Sequence, residues 1–259
     1  MAQSQDKSAG TTALFEYVIR LADNALIISH RLQEWCAHAP ELEEDIALAN
    51  IGLDHLGQAR ALYAYAGKVE GKGRGEDDLA FLREERDYHN VLLAEQPNGD
   101  FGQTMMRQFL FDAFNLCFME ALTASSDEEL AAIAAKSVKE VRYHLRHSTS
   151  WVIRLGDGTE ESHKRMMDAI DALWMYTGEL FEMDAVDSAM LDAGIGVDKA
   201  ALKAAWEARV AEVFAEATLA KPEDGWMASG GREGRHTEHM GYILTELQYM
   251  QRAYPGMEW

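Results

Sequence analysis

Proline is scarce in this sequence, with 4 residues in a chain of 259. A proline inside a helix removes a hydrogen bond and clashes with the preceding turn, so its scarcity favours long, uninterrupted helices. Alternation of apolar and polar residues, the pattern of a half-buried strand, is also missing. The length and a hydrophobic fraction of 47% are sufficient for one large core. The sequence therefore predicts an all-α fold of long antiparallel helices.

Cysteines are fewer still, and the 2 in the sequence, Cys36 and Cys117, lie inside apolar runs. This predicts reduced core thiols in a cytoplasmic protein and not a disulfide framework. The first ten residues are polar and lack the apolar segment of a signal peptide, and no apolar run approaches membrane-spanning length. We expect a disordered N-terminus at residues 1–10, a single helical domain at 11–259, and no membrane partner.

Basic residues are outnumbered, with 24 Lys and Arg against 44 Asp and Glu, which gives a net charge of -20. Proteins that bind nucleic acids or anionic lipid need a basic surface. The composition therefore argues against both, and it leaves protein partners open.

The segment 40–67 is the most informative part of the chain. It predicts a helix that starts at Pro40, carries acidic residues in its first turn and ends at Gly67. Steps of four and three residues predict one buried apolar stripe: Leu42, Ile46, Ala49, Leu53, Leu56 and Tyr63. A second, polar line consists of Asn50, Asp54 and Gln58, with His55 beside it. In a helical bundle, a polar line of this kind is where a cofactor is held.

The remaining helices follow the same period. They are predicted at about 11–37, 76–96, 101–125, 126–155 (with a capping box at Ser126 and Glu129), 160–186, 198–219 and 236–254. The link at 37–40 is so short that the first two helices must be antiparallel neighbours.

A bundle with a polar centre suggests a di-iron carboxylate site. Such a site takes a Glu from each of two helices and a Glu-x-x-His pair from each of the other two. The two Glu-x-x-His matches, Glu160 with His163 and Glu233 with His236, do not lie in the middle of a helix. The mid-helix candidates form an incomplete set: Asp23, His55, Gln58, Asp112, Glu120, Glu140, His144 and His147. A buried, metal-free polar network is the favoured interpretation.

Several segments resemble a known family. They are Asp23–Leu26, His30–Leu32, Glu34–Cys36, Ala39–Glu43, Asp45–Asp54, Leu56–Arg60, Lys139–Glu140, Arg142–Arg146, His236–Gly241, Gln248–Tyr249 and Pro255–Gly256. Together they are similar to the C subunits of bacterial ring-1,2-phenylacetyl-CoA epoxidases, the multicomponent monooxygenases of phenylacetate degradation. The resemblance covers nearly the whole chain.

The resemblance implies a ferritin-like fold and a place beside the catalytic subunit of such an enzyme, a related bundle that carries the di-iron centre and epoxidises the ring. The C subunits are regarded as its structural, non-catalytic partners. Matched on Trp35 and Pro40, the two Glu-x-x-His motifs of the catalytic subunit fall on His55 with Gln58 and on Val141 with His144. Its first-helix Glu falls near Asn24 or Ala25, and its third-helix carboxylate near Asp112. The resemblance thus implies vestigial ligand positions, with no metal and no catalytic residue in this chain.

The first hypothesis is therefore a structural subunit that supports the catalytic di-iron subunit, contacts other epoxidase subunits, and can also form a homodimer. The second is an active di-iron oxygenase with a reduced ligand set: Asp54, His55, Asp112, Glu140, His144 and His147. A third, weaker hypothesis is that the vestigial pocket binds a small ligand or coenzyme A fragment near the basic residues Lys72, Arg74 and Arg83, although such charges are usually solvated surface.

Overall fold

The computed structural model describes the backbone of residues 2–257 and the side chains of residues 10–257. Its helices are α1 (Ala2–Gln33), α2 (Leu42–Glu70), α3 (Glu76–Phe81), α4 (Leu92–Glu95), α5 (Phe101–Leu122), α6 (Glu128–Gly156), α7 (Glu160–Leu173), α8 (Ala185–Asp192), α9 (Lys199–Glu216), α10 (Glu238–Leu247) and α11 (Tyr249–Ala253). Short 3₁₀ turns lie at Glu85–Asp87, Trp174–Tyr176, Gly178–Phe181 and Gly231–Glu233. The predicted disorder of residues 1–10 stays a prediction, because residue 1 and the side chains of 2–9 lie outside the described part.

The all-α prediction is confirmed, since residues 2–257 contain helices, turns and no strand. Two long helical hairpins, α1–α2 and α5–α6, are consistent with a ferritin-like bundle. The chain forms two compact units: unit 1 comprises Met1–Val91, Asp184–Gly196 and Gly230–Trp259, and unit 2 comprises Leu92–Met183 and Val197–Ser229. The single domain at 11–259 stays a prediction. Within the described range, no helix has the length and apolar composition that crossing a membrane requires.

Unit 1 is built on the hairpin of α1 and α2, with α8 and α10 packed on α1 and α3 packed on α2. Side chains of α1 bind backbone carbonyls of α2: Ser29 Oγ donates to Gly52 O at 2.7 Å, and Gln33 Nε2 donates to Ala49 O at 3.2 Å. These bonds fix the register of the two helices near their connection, where the predicted short link reverses the chain.

The C-terminus of α2 differs from the prediction. The helix continues through Gly67 to Glu70 and ends at Gly71, whose left-handed φ of 68° is the usual conformation of a helix C-cap. Gly67 is needed for a different reason: a Cβ there would collide with the carbonyl oxygen of Arg74.

The face of α2 that is buried is also not the predicted one. The apolar residues predicted to face the core are largely exposed, at 72% for Leu42, 54% for Ile46, 56% for Leu53 and 40% for Leu56, and only Tyr63 is buried. The residues that α2 buries lie on another face: Leu48, Ile51, Gly52, His55, Gln58, Ala59, Leu62, Tyr63, Ala66 and Gly67. The helix thus has two apolar faces, and folding uses one of them.

Unit 2 is organised around α5, which is buried on nearly every side and packs against α6, α7 and α9. A helix that is apolar all round is typical of the centre of a helical assembly. Trp206 of α9 is buried, and its Nε1 donates to the carbonyl oxygen of Leu110 at 3.0 Å. Gly156, the last residue of α6, allows close approach of Ala217, because a Cβ at Gly156 would lie 2.8 Å from the Ala217 Cβ.

Three predicted helices are shorter or interrupted. The 76–96 helix ends at Phe81, and beyond that end the Arg83 guanidinium binds the carbonyl oxygens of Leu79 and Asp87. The 160–186 helix breaks into α7, two 3₁₀ turns and α8, which starts anew at the N-cap Asp184. The 236–254 helix is divided into α10 and α11.

The start of α6 is shifted by one residue from the predicted capping box. Asp127, and not Ser126, is the N-cap, and its carboxylate accepts from Leu130 N at 3.0 Å. Asp and Ser are almost equally favourable as N-cap residues, so the sequence alone does not predict which of two adjacent residues of these types is the N-cap.

Candidate functional site

The predicted ligand position Asp112 lies in the buried centre of unit 2, on α5 facing α6. Its carboxylate accepts from two neutral donors: Gln108 Nε2 donates to Oδ1 at 2.7 Å, and Ser148 Oγ donates to Oδ2 at 2.9 Å. The Ser148 hydroxyl also lies 3.0 Å from the His144 carbonyl oxygen. A buried carboxylate needs such donors because desolvation without them costs several kcal/mol.

Burial raises the pKa of Asp112 to about 6, from an ordinary value of 3.8, and His144, Ser148 and Gln108 offset only part of that rise. The desolvation of the charged form therefore outweighs the donors that stabilise it. At neutral pH the carboxylate is ionised, and the folded protein carries a free-energy cost for this charge.

Because of this cost, we predict that the free energy of unfolding depends on pH and that Asp112→Asn removes this dependence. Between about pH 4 and pH 6 the folded chain holds a proton that the unfolded chain has released, so the stability contribution of Asp112 falls as pH rises through this window. A difference of about two pH units corresponds to about 3 kcal/mol. The difference in unfolding free energy between Asp112→Asn and wild type is therefore expected to shift by about 2–3 kcal/mol in favour of the variant from pH 4 to pH 7. Urea denaturation at each pH measures this difference.

The control is Asp171→Asn, which alters an exposed carboxyl on α7 of the same unit. Asn keeps the acceptor for Gln108, and the Ser148 hydroxyl can accept from the new amide, so the variant tests charge with little change in shape. Parallel pH profiles for wild type and Asp112→Asn would contradict the assignment.

Two other vestigial positions are buried on α6, the helix that packs against the Asp112 helix α5. His144 is fully buried and interacts electrostatically with the Asp112 carboxylate. Val141, one turn earlier, is also fully buried and offers no ligand atom. The structure therefore brings Asp112 and His144 together, and it buries an aliphatic side chain at the position that the resemblance matches to the Glu of the motif.

The remaining positions, His55 and Gln58, lie on α2 in unit 1. Both are buried on the inner face of that helix. Gln58 offers a neutral amide at the position that the resemblance matches to His, and His55 offers an imidazole at the position that it matches to Glu. Of the neighbouring polar residues, Asp54 is half-buried and Asn50 is exposed, so the polar line predicted along α2 is buried only at its end.

Most other candidate ligands are used elsewhere. Glu120 is exposed and pairs with Arg142 at 2.7 Å, and Glu140 and His147 are half-buried. The imidazoles of both Glu-x-x-His matches bind backbone: His163 Nδ1 lies 2.8 Å from Gly156 O, and His236 Nε2 lies 2.9 Å from Tyr88 O. Neither match lies in the middle of a helix, as predicted, because Glu160 and His163 are at the start of α7 and Glu233 and His236 precede α10.

Asp23 belongs to a buried ion pair that sequence reasoning missed. Its carboxylate binds the Arg83 guanidinium and accepts from Tyr63 OH at 2.5 Å and from His89 N at 2.8 Å. The Arg83 guanidinium also lies over the Tyr88 ring, 4.1 Å from its centroid. Burial lowers the pKa of Arg83, but the Asp23 carboxylate outweighs it and the net pKa is raised. The mid-helix acid of α1 therefore holds an arginine and is not a free metal ligand.

This ion pair takes Arg83 out of the basic cluster of Lys72, Arg74 and Arg83 on which the coenzyme A hypothesis is based. Arg83 is buried, and the other two cations both pair with Glu70, at 3.2 Å for Lys72 and 2.5 Å for Arg74. The three residues do not form a surface with free positive charge, and the sequence offered no signal that Arg83 turns inward.

A second buried ion-pair network fixes α8 to α1. Arg20 binds the N-cap Asp184 at 2.7 Å, and Arg232 binds the buried Asp187 at 2.6 Å. Its members are separated by up to 212 residues, from Arg20 to Arg232, so local sequence patterns could not reveal it. Both networks stabilise the scaffold of unit 1.

The donor chemistry does not fit a pair of iron ions of the di-iron carboxylate type. That site requires four carboxylates and two imidazoles. Here the matched positions supply one carboxylate, Asp112, and it is already bonded by Gln108 and Ser148. The other positions supply two imidazoles, an amide and an aliphatic side chain, so too little negative charge is present to balance two ferrous ions.

Comparison with known proteins gives the family. A family model described as phenylacetic acid catabolic protein matches residues 1–259. One relative is the C subunit of the 1,2-phenylacetyl-CoA epoxidase of Escherichia coli (strain K12), which is 52% identical over 246 residues, or 95% of this chain and 99% of that protein. The resemblance identified from sequence motifs is thereby confirmed. The chain belongs to the phenylacetic acid catabolic protein family.

Proposed function

We propose that this chain is a structural, non-catalytic subunit of a cytoplasmic phenylacetyl-CoA epoxidase, working in phenylacetate catabolism beside a di-iron subunit. The relative named above is a subunit of such an enzyme, which supports the presence of other subunits as partners. The role assigned here is to bind the catalytic subunit, thereby fixing the positions of its helices.

The observation that carries the proposal is the apolar seam on α2, defined as Leu42, Ile46, Ala49, Leu53 and Leu56. Four of these five side chains are large, apolar and 40–72% exposed. Their spacing of four, three, four and three residues is the 3.5-residue repeat by which one helix packs against another. A contiguous apolar patch on a protein surface marks an interaction site, so we assign the seam to a helix of the catalytic subunit.

A cavity of about 300 Å³ continues the seam at Leu56 and supports the same assignment. It lies between α1, α2 and α3, and its walls include Leu26, Tyr63, Ala80 and Phe81. Pockets of this kind receive the anchoring side chains of protein partners. The seam and the cavity together form one extended apolar surface on unit 1.

Metal analysis of the assembled enzyme tests the non-catalytic role. We expect about two irons on each catalytic subunit and far less than one on this chain, because its matched positions lack the carboxylates. His144→Gln, which replaces the buried imidazole, is expected to leave turnover of the assembled complex within about twofold of wild type.

The second candidate, an active oxygenase with a reduced ligand set, is favoured by the buried pair of Asp112 and His144 in unit 2. About two irons bound per copy of this chain, with turnover lost on His144→Gln while assembly stays intact, would establish it and overturn the structural role.

A further inference from the structure

A basic groove lies on unit 2 between α6 and α9. Its volume is about 560 Å³. The arginine groove, as we call it, is lined by Arg142, Arg146 and Arg154 from α6 and Arg209 from α9. All four arginines are exposed. Four guanidinium groups in one groove are unexpected in a chain with a net charge of -20.

Three of these cations lack a carboxylate partner. Arg142 pairs with Glu120 at 2.7 Å, but Arg146, Arg154 and Arg209 have no carboxylate within 4 Å among the residues whose side chains are described. Many exposed Lys and Arg residues elsewhere do have one, for example Lys136, Lys164 and Lys203, each paired four residues along its helix. One carboxylate, Glu216, lines the groove. The groove therefore keeps positive charge available for an external anion.

Aromatic rings hold two of the guanidinium groups in place. Arg146 lies over the Tyr143 ring at 5.4 Å, and Arg154 lies over the Trp151 ring at 5.5 Å. Both rings belong to the preceding turn of α6, three residues earlier. Such cation–π contacts restrict the side chains without neutralising them, which lowers the entropy cost of binding an anion.

The arrangement of the arginines indicates an extended partner. Arg142 and Arg154 are twelve residues apart on α6, or about 18 Å along its axis. A single phosphate needs donors that converge within hydrogen-bond distance of one group. Cations spread along a helix instead match carboxylates repeated along one face of a second helix.

Apolar side chains complete the groove. Leu116, Leu145 and Ile153 line it together with the arginines. An amphipathic helix binds in a groove by its apolar face and places charges along the rim. Arginine is also one of the residues that are enriched at protein interfaces.

We propose that the arginine groove docks an acidic amphipathic helix of a further subunit of the same complex, on a surface separate from the α2 seam. This inference rests on the proposed function, because it takes the chain to be part of a multisubunit enzyme. The electrostatic contribution makes docking fast and salt-sensitive.

The test uses the full-length chain, co-expressed with the other subunits of its own epoxidase and purified through this chain. The variant is Arg146→Glu, Arg154→Glu and Arg209→Glu together. The matched control is Lys136→Glu, Lys164→Glu and Lys203→Glu, which makes the same change in net charge at exposed, paired lysines of unit 2. Native mass spectrometry measures the subunits retained, and circular dichroism confirms folding.

We expect the arginine variant to lose one of the other subunits, with affinity reduced at least tenfold at moderate salt, while the catalytic subunit stays bound and the lysine control keeps every subunit. Retention of every subunit by the arginine variant, or equal loss in the lysine control, would overturn the proposal. So would arginine-dependent micromolar binding of pyrophosphate or coenzyme A, which would assign the groove to a small phosphorylated ligand. Absence of the catalytic subunit from the wild-type complex would instead contradict the proposed function.

Discussion

Arg83→Ala is expected to lower the free energy of unfolding by about 3–5 kcal/mol, the usual cost of leaving one charge of a buried ion pair without its partner. Arg83 is 6% exposed, and it binds Asp23 and the carbonyl oxygens of Leu79 and Asp87. Its loss leaves the fully buried Asp23 carboxylate with only Tyr63 OH and His89 N as donors. Urea denaturation followed by tryptophan fluorescence measures the effect.

A second arginine of unit 1 provides the control. Arg60 pairs with Glu76 at 2.7 Å, but its side chain is 74% exposed. Exposed ion pairs contribute about 0–1 kcal/mol, so Arg60→Ala should change stability by no more than that. Equal losses for Arg83→Ala and Arg60→Ala would show that burial of the Asp23 pair does not stabilise the fold.

A double-mutant cycle separates the pair from the cavity that truncation leaves. Asp23→Ala with Arg83→Ala removes both charges, so the double variant should be less destabilised than the sum of the two single variants. The expected coupling is at least about 1 kcal/mol. Additive losses would indicate that the two side chains act through packing alone.

Ile46→Glu with Leu53→Glu is expected to weaken association with the catalytic subunit by at least about 100-fold, or about 2.7 kcal/mol. The reason is that two carboxylates would be buried against an apolar partner without compensation. Both side chains are more than half exposed in the isolated chain, so its own stability should change by less than about 1 kcal/mol. Sedimentation velocity or calorimetric titration with the purified catalytic subunit measures the affinity.

Leu191→Glu is the control for this prediction. Leu191 is also an exposed leucine of unit 1, at 38%, but it lies on α8 and outside the seam. We expect it to bind the catalytic subunit like wild type. Normal binding by the seam variant would show that the seam is not part of the interface with the catalytic subunit. Self-association of the wild-type chain through the seam would show that the seam is a homodimer contact instead.

The predicted and observed buried faces of α2 show what sequence periodicity can and cannot predict. The spacing of Leu42, Ile46, Leu53 and Leu56 correctly indicates an apolar stripe on a helix. It cannot say whether the chain itself or another chain covers that stripe, because a core face and an interface face have the same period. The helix buries His55 and Gln58 instead, together with Leu48 and Ile51. Only the packing of α1 against α2 decides which face is inside.

For the candidate ligand positions, too, the sequence indicated some features and only the structure showed others. The resemblance matches Asp112, Val141 and His144 to ligand positions of the catalytic subunit, and the structure buries all three in unit 2. The donors of Asp112 were not foreseen. Gln108 lies one helical turn before it, a spacing at which side chains meet on a helix, whereas Ser148 lies thirty-six residues after it on another helix, a separation that carries no local pattern.

The sequence by itself determined the helical class, the approximate position of the long helices and the shortage of carboxylates at the matched positions. These depend on local periodicity, on the scarcity of proline and on residue identity, all of which are properties of the chain before it folds. The tertiary structure alone decided that Asp23 holds Arg83, that the α2 seam is exposed and that four arginines line one groove. These features depend on which side chains meet across long sequence separations, and the balance of burial and charge over the whole fold sets that outcome.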